Sequence, residues 1–236
     1  MSQTIPTFFI GYDPKEDIAY RVCKQSLVNK ASIDITVLSL KLYELIAKGI
    51  YKRNVDPLAS TEFTYTRFFI PYLMNYNGWA VFCDCDFLFL EDIKFLFKDL
   101  SNKKAIYCVK HDYSPKEKHK MDGKTQTIYP RKNWSSLIVY NCSHPSNKVL
   151  NLDLVNNETG SYLHQFKWLK DSEIGELDMR WNWLEGWTSS IIEESPYAVH
   201  FTRGGPWFNE WKDVEFADEW NNERNKYLKN KFNKII

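Results

Sequence analysis

The sequence predicts an α/β fold with a central sheet flanked by helices, and two stretches lead to that prediction. Residues 79–83 are wholly apolar and of strand length, with aromatic and β-branched members, as is typical of a strand buried on both faces of a parallel sheet. Residues 7–29 read as a strand, a polar turn and a helix, which is how nucleotide-binding α/β sheets begin. Ligands of such sheets bind at the carboxyl ends of the strands.

The elements before the central strand follow at short intervals. Residues 7–10 predict the first strand and residues 11–14 a turn. A helix is predicted over residues 14–29, because Asp13 can cap it and Pro14 suits its first position. Alternating residues 33–38 predict a second strand, and residues 42–46 predict a short helix. Residues 60–70 predict a capped helix that ends or kinks near Pro71.

The elements after the central strand are less regular. Residues 105–109, 135–140 and 198–201 predict strands, and residues 144–152 and 216–232 predict helices. Between them, residues 110–132 form a long, basic segment with little periodicity. Long loops in compact domains are usually functional lids or disordered, so a lid over an anionic substrate and a plain solvated loop are both open. We expect one domain over residues 1–236, with a nucleotide-binding half at about 1–110 and an acceptor half at about 111–236.

Two acids follow the central strand, and they are the main candidates for chemistry. Asp84 and Asp86 are separated by one residue between apolar runs. Residues i and i+2 of an extended chain point to the same side, so both carboxylates should converge. Desolvated anions side by side need a cation, and oxygen ligands favour Mn²⁺ or Mg²⁺. The alternative is that the two acids cap a helix or simply contact water. A zinc site at Cys83 and Cys85 is disfavoured, because no second cysteine pair has metal spacing.

Three other residues near predicted strand ends can serve a ligand or the fold. Tyr12 and Asp13 can contact a nucleotide base and ribose, or merely form a capped turn. Arg67 is the one cation in a very apolar segment, so we expect an anionic partner. That partner is Asp84, Asp86, or a substrate phosphate or sugar. His200 ends the last predicted strand and can supply a third metal ligand, although a lone histidine is more often structural.

Composition limits the classes of partner. The net charge of +1 argues against nucleic acid as the main partner. Apolar residues make up 44% of the chain and aromatic residues 16%, enough for a large core and for stacking on sugars or bases. Five scattered cysteines give no disulfide framework, which favours reduced thiols and a cytoplasmic location. No apolar run reaches membrane-spanning length. The oligomeric state is not readable from the sequence.

Several motifs together resemble glycosyltransferase family 8, whose fold is GT-A, and more closely its bacterial and viral members. The resemblance covers roughly residues 8–220, and the order and spacing of the motifs make it specific. The motifs are FIGYDPKEDIAY, STEFTYTRFFIPYL, WAVFCDCDFLFL, KHDY, YPRKNWSSLIVYNCSHP, LHQFKWLKDSEIGELDMRWNWL and HFTRGGPW.

The resemblance implies roles for individual residues. Asp84, Asp86 and His200 match the family's metal ligands. Gly11, Tyr12 and Asp13 fall where the nucleotide base and ribose bind, and Arg67 matches an arginine that approaches the donor sugar and diphosphate. Gln165 matches the second residue of the family's Asp-Gln pair near the anomeric carbon. The implied activity is metal-dependent transfer of a hexose from a nucleotide-diphosphate sugar, usually a UDP-sugar, to a glycan, lipid-linked or protein acceptor.

Departures from the family pattern affect donor recognition. His164 stands where the family has the Asp of its Asp-Gln pair, and Gly205 stands where a diphosphate-binding lysine precedes Pro-Trp. Arg203 can substitute for that lysine from a different position. Residues 134–136 read Trp-Ser-Ser in place of the Asn-Ala-Gly that usually opens the strand before the acceptor region.

The resemblance implies retention of anomeric configuration. Because Gln165 is no carboxylate, a same-face displacement is favoured, with Gln165 as an electrostatic neighbour of the anomeric carbon. An inverting enzyme would instead need a carboxylate base, for which Asp112, Glu173 and Asp178 are candidates.

Two rival classes stay open at the level of sequence. A sugar-nucleotide nucleotidyltransferase also uses metal-bound aspartates, but residues 11–13 do not supply its usual Gly-rich basic loop. A non-catalytic glycan-binding module would use the aromatic residues without a metal.

Overall fold

The computed structural model describes residues 5–57, 59–112 and 131–233, which form a six-stranded sheet, a three-stranded sheet and flanking helices. The strands are β1 (Thr7–Tyr12), β2 (Thr36–Lys41), β3 (Trp79–Cys83), β4 (Phe87–Phe89), β5 (Ile106–Cys108), β6 (Leu137–Asn141), β7 (Ile174–Glu176), β8 (Trp183–Leu184) and β9 (Ala198–His200). The α-helices are α1 (Asp17–Asn29), α2 (Leu42–Ala47), α3 (Ile70–Leu73), α4 (Leu152–Asn157), α5 (Gly160–His164) and α6 (Ala217–Asn233).

The six-stranded sheet confirms the predicted α/β class. Its strand order is β2-β1-β3-β6-β5-β7. Five strands run in one direction, and only β6 is antiparallel to its neighbours β3 and β5. The central strand β3 is buried from Ala80 to Cys83, as its apolar run predicts. Because β1 and β3 are parallel, their carboxyl ends meet at one edge, called here the carboxyl edge.

The three-stranded sheet, of order β4-β9-β8, adjoins that edge. The chain leaves β3 at Cys83 and enters β4 at Phe87, so residues 84–86 link the two sheets. A second core cluster lies behind this sheet and joins it to α1 and α6 through Val22, Leu88, Trp183, Val199, Phe201 and Trp220. The link between the sheets is thereby fixed at both ends by buried strands.

Three predicted elements differ from the structure. Strand β2 begins at Thr36 rather than residue 33, because pairing with β1 sets its register from Thr7 and Thr36 onward. Residues 61–65 form turns, followed by a 3₁₀ segment at Thr66–Phe69, and α3 begins at Ile70, with Pro71 near its start rather than its end. Residues 145–149 form a 3₁₀ segment, and helix α4 follows it.

Most of the basic segment lies outside the described residues, which omit 113–130. The prediction of a lid or solvated loop there is therefore unchanged. Among the helices of the described ranges, none combines the length and apolar character needed to span a bilayer.

Candidate metal and nucleotide site

Asp84 and Asp86 lie at the carboxyl edge, in the turn between β3 and β4. The backbone N–H of Asp84 donates to the carbonyl of Ser136 (2.9 Å), which continues the pairing of β3 with β6. Both side chains point to the same place, as predicted, although the residues form a turn rather than a continuous strand. Ligand atoms of Asp84, Asp86 and His200 all lie within 4.8 Å of one another. These three residues are called the metal cluster below.

His200 completes the cluster from the end of β9. Its Nε2 lies 3.4 Å from Oδ2 of Asp86 and 4.0 Å from Oδ2 of Asp84. Its ring stacks on Phe87, with centroids 4.5 Å apart and an angle of 15°, because β4 and β9 pair with Phe87 opposite His200. Nδ1 lies 2.9 Å from Oδ1 of Asn182. One face and both nitrogens of the ring therefore have contacts within the protein.

Arg67 is the cation that faces the cluster. Its Nη1 lies 2.8 Å from Oδ1 of Asp84 and donates to the carbonyl of Ser135 (2.6 Å). Its guanidinium lies 4.5 Å from the ring centroid of Phe82. The side chain is buried, with only 5% of the residue exposed. Asp84 is thus one of the predicted anionic partners of Arg67, and contact with a substrate phosphate or sugar stays a prediction.

Several acidic groups lie close together at this edge among the described residues. Burial and nearby Asp86 raise the pKa of Asp84, while Arg67 and His200 act against that rise. Glu16, which the sequence did not single out, also faces the cluster. Burial, followed by the charges of Asp86, Asp13 and Asp84, raises the pKa of Glu16 to about 8. Among the described residues, Arg67 thus pairs with Asp84, while Asp86 and Glu16 add further carboxyl groups nearby.

The donor set fits a divalent ion. Oδ1 of Asp86 is buried and has no hydrogen-bond partner among the described residues, although such atoms are normally paired. Carboxylate oxygens suit Mn²⁺ and Mg²⁺, and a neutral imidazole is a common ligand of transition metals. Asp84, Asp86 and His200 are the residues that could hold the ion.

The residues predicted to bind the nucleotide lie at the end of β1. A Cβ on Gly11 would come within 2.5 Å of the Phe63 ring, so a glycine is needed for packing. The Tyr12 hydroxyl donates to Oδ1 of Asp17 (3.0 Å). Both carboxylate oxygens of Asp13 accept backbone N–H groups, from Lys15 (2.9 Å) and Glu62 (3.2 Å). The capping role of Asp13 is thus present in the structure, and nucleotide contact stays a prediction.

Arg203 and Gly205 follow β9 on the other side of His200. Arg203 Nη2 donates to Oε2 of Glu185 at 3.0 Å, and the backbone N–H of Glu185 donates to the carbonyl of His200. Gly186, at φ +67°, leaves room for this guanidinium. A Cβ on Gly205 would come within 2.0 Å of the Trp207 ring. The structure gives Arg203 a buried carboxylate partner, so diphosphate binding by Arg203 remains a prediction.

The two predicted catalytic residues lie on other segments. Gln165 ends α5, and its Nε2 donates to the Ser161 hydroxyl (3.0 Å). Its neighbour His164 is linked to the cluster side, because His164 Nδ1 lies 2.7 Å from Oγ of Ser135, whose carbonyl binds Arg67. Asp112 is exposed and is the last described residue before the gap at 113–130.

The other candidate bases have structural partners. Glu173 accepts the Ser146 hydroxyl at 2.6 Å, and Asp178 pairs with Arg180. Neither is recorded in contact with the metal cluster within the described ranges.

Sequence reasoning missed three residues around the cluster: Glu16, His111 and Asn182. Burial and the nearby His200 lower the pKa of His111 to about 3, so its ring is neutral at physiological pH. Asn182 is fully buried. Glu16 stands three residues after Asp13 and was readable only as part of the first helix. No local sequence pattern marks His111 or Asn182, because the residues that they lie against are distant in the sequence.

Solved structures define the class of this fold. The chain superposes on the bifunctional glycosyltransferase WbbM with a TM-score of 0.67, at 16% identity, over 95% of this chain and 50% of WbbM. For the glycosyltransferase GlyE of Streptococcus pneumoniae the TM-score is 0.63 at 14% identity, over 99% of this chain and 64% of GlyE. For the galactosyltransferase LgtC the TM-score is 0.58 at 11% identity, over 93% of this chain and 95% of LgtC. The fold is that of GT-A glycosyltransferases, and the chain spans only half to two thirds of WbbM and GlyE.

Sequence comparison supplies the family. No protein-family model matches the chain. The chain is 52% identical to protein CDI of Arabidopsis thaliana over 225 residues. The aligned region covers 94% of this chain and 86% of protein CDI. The chain therefore belongs to the family of protein CDI.

Proposed function

We propose that the chain is a metal-dependent glycosyltransferase that moves a hexose from a nucleotide-diphosphate sugar, UDP-linked, to a glycan, lipid-linked or protein acceptor. The metal cluster supports this proposal most directly. Two carboxylates and an imidazole lie within 4.8 Å of one another at the strand edge where α/β sheets bind ligands. They also leave Oδ1 of Asp86 buried without a hydrogen bond among the described residues.

Asp84, Asp86 and His200 would hold Mn²⁺ or Mg²⁺, which when bound would stabilise the charge that grows on the leaving diphosphate. Arg67 would assist this charge stabilisation in two ways. Its contact with Asp84 opposes the rise in that carboxyl's pKa, which favours the anionic form that a metal needs. Its fixed guanidinium also presents positive charge beside the diphosphate position.

The nucleotide and diphosphate would lie between the ends of β1 and β9. Gly11, Tyr12 and Asp13 would contact the base and ribose, although the Asp13 carboxylate also caps the following 3₁₀ segment. Arg203 and Gly205 would approach the diphosphate from the opposite side. For Arg203 this means sharing its guanidinium between Glu185 and phosphate oxygens, which its five donors permit.

For the chemical step we propose Gln165, because it matches the second residue of the Asp-Gln pair in the family 8 resemblance. An amide cannot act as a strong nucleophile or base. Gln165 would therefore act as an electrostatic neighbour of the anomeric carbon in a same-face, retaining transfer. Asp112 is the alternative base for an inverting transfer. Loss of glycosyl transfer in Asp112→Ala with survival of donor hydrolysis would move the mechanism to that alternative.

Thermal unfolding with UDP and UDP-sugars, with and without Mn²⁺, tests the proposal. A ligand that binds only the folded state raises the melting temperature, and saturation at a hundredfold excess over Kd should give a rise of roughly 5 °C or more for a chain of this size. We expect that rise to need Mn²⁺ and to disappear in Asp86→Asn. Asp99→Asn is the matched control, because Asp99 is exposed at φ +63°, where asparagine is well tolerated.

The rival classes give different results in the same samples. Release of pyrophosphate from a sugar phosphate and a nucleoside triphosphate would identify a nucleotidyltransferase. If nucleotide at about a millimolar left the melting temperature unchanged and glycans bound without a metal, the proposal would be contradicted. Those results would indicate a glycan-binding module.

A further inference from the structure

A buried amide lies behind the metal cluster. Asn182 precedes β8 and is fully buried, and its Oδ1 lies 2.9 Å from Nδ1 of His200. Nδ1 is the ring nitrogen directed away from the carboxylates, because Nε2 is the one 3.4 Å from Asp86. Asn182 is therefore the residue that contacts the side of His200 opposite the proposed metal position.

The orientation of this amide follows from its other contacts. Nδ2 of Asn182 lies 3.1 Å from the carbonyl of Asn133 and 2.9 Å from Oγ of Ser136. The Ser136 hydroxyl itself donates to the same Asn133 carbonyl at 2.6 Å. A backbone carbonyl has no hydrogen to donate, so the amide atom facing it must be the NH₂ group. The amide oxygen then has to face His200.

An amide oxygen can only accept, so Nδ1 of His200 must carry the ring hydrogen that it receives. In the neutral imidazole the lone pair is then on Nε2, directed at Asp84 and Asp86. We propose that Asn182 is the positioning residue that makes His200 a metal ligand, by fixing both its tautomer and its ring orientation. This inference rests on the proposed function, since it assumes that the cluster binds a divalent ion.

Asn182 is also connected to the carboxylate side of the metal cluster. Ser136, which accepts from Asn182, provides the carbonyl that binds the N–H of Asp84. The preceding Ser135 provides the carbonyl that binds Arg67. One turn at the start of β6 thus holds the carboxylate side of the site and, through Asn182, the imidazole side.

A second buried asparagine makes a matched control. Asn147 is fully buried, donates from Nδ2 to the carbonyls of Ala105 (2.7 Å) and Asn141 (2.8 Å), and accepts from Trp168 Nε1 (3.3 Å). It therefore makes the same pattern of contacts as Asn182, including acceptance from an aromatic N–H. It lies at the other end of the sheet, because Asn141 pairs with Trp79 at the start of β3.

The first test is a titration of the metal-free protein with Mn²⁺ alone, followed by calorimetry or by the electron paramagnetic resonance signal of free Mn²⁺. We expect Asn182→Leu to bind Mn²⁺ about 10- to 100-fold more weakly than the wild type, the usual loss when a partner of a metal-ligating histidine is removed. Asn147→Leu, which loses equivalent hydrogen bonds, should stay within about twofold of the wild type. Equal Mn²⁺ affinity in the wild type and a folded Asn182→Leu would overturn the inference.

The second test needs neither a variant nor a metal. Long-range ¹H–¹⁵N spectra of the metal-free wild type at about pH 8, above the ordinary pKa of histidine, report which nitrogen of His200 carries the hydrogen. Protonation of Nδ1 supports the inference, and protonation of Nε2 overturns it even if Asn182→Leu fails to fold. A wild type that shows the Nδ1 tautomer but binds no Mn²⁺ would instead sink the proposed function and leave the Asn182–His200 contact established.

Discussion

The two ends of the central strand β3 differ in the kind of buried polar side chain that they contain. At the amino end, where β3 meets the end of β6, the buried polar side chains are neutral amides. Asn141 donates to the carbonyls of Asn102 and Lys104, and Asn147 donates to two further carbonyls while accepting from Trp168. These hydrogen bonds join neighbouring segments without introducing charge.

At the carboxyl end, three carboxyl groups lie near one another, and in the described part of the chain one guanidinium pairs with one of them. Asp84 pairs with Arg67, while Asp86 keeps a buried oxygen without a hydrogen bond in the described part of the chain. The pKa of Glu16 is raised by burial and by the same acids. The difference indicates that the amino end is built for stability, whereas the carboxyl end keeps an electrostatic cost that a bound cation would relieve.

The largest effect should come from removing Arg67, the cation that pairs with Asp84. Arg67→Met leaves Asp84 buried without its partner, and loss of one member of a buried ion pair typically costs about 3–5 kcal/mol. We expect a fall of that size in the free energy of unfolding of the metal-free protein, measured by urea denaturation.

Arg53→Met is the control for this prediction. Arg53 also spans two segments, but its guanidinium bonds to the neutral carbonyls of Val155 and Glu158 and lies 3.9 Å from the ring centroid of Tyr65. Its loss should therefore cost about 2 kcal/mol. Equal losses in the two variants would show that charge balance does not distinguish the carboxyl end.

The sequence alone predicted the parts of this site that depend on local order. A two-residue period placed Asp84 and Asp86 on one side, and a lone cation in an apolar segment called for the anion that Asp84 supplies. His200 was found because it ends a short apolar strand before a Gly-Gly turn. Each of these signals lies within a few residues of the functional group.

The rest of the site depends on contacts that no local pattern contains. Asn182 meets His200 across the β8–β9 pair and meets Asn133 and Ser136 almost fifty residues earlier in the chain. The start of β2 was placed three residues early, because residues 33–37 alternate between apolar and polar and only pairing with β1 decides which part is the strand. The turns at 61–65 replaced a predicted helix, where the Thr64 hydroxyl bonds to the carbonyl of Thr61.

An intermediate effect, of opposite sign, should follow from removing an acid at the carboxyl end. The pKa of Glu16 is raised from 4.5 to about 8, so the folded state holds a proton that the unfolded chain has released. Stability of the wild type therefore falls as pH rises from about 4.5 to 8. Glu16→Gln removes that fall.

We expect metal-free Glu16→Gln to match the wild type near pH 4.5 and to be more stable by about 2 kcal/mol near pH 8, after allowance for partial solvent screening. Urea midpoints across that range, in the presence of a chelator, measure the difference. Saturating Mn²⁺ should shrink the gain, because a bound cation favours the ionised Glu16 of the wild type. A constant difference at all pH values would contradict the electrostatic explanation.

The smallest effect concerns His111, the neutral ring beside His200. Burial and the charge of His200 lower its pKa from 6.5 to about 3, so below pH 6.5 the unfolded chain binds a proton that the folded protein excludes. The stability associated with His111 is present above pH 6.5 and is lost as pH falls toward 3. His111→Phe keeps an aromatic ring against Trp187, which lies 6.3 Å away, but cannot be protonated. Between pH 7 and pH 5 the variant should therefore lose about 1–2 kcal/mol less stability than the wild type. Parallel pH profiles for the two proteins would mean that His111 takes up its proton in the folded state, and that the interior of the carboxyl end is more accessible to solvent than its packing indicates.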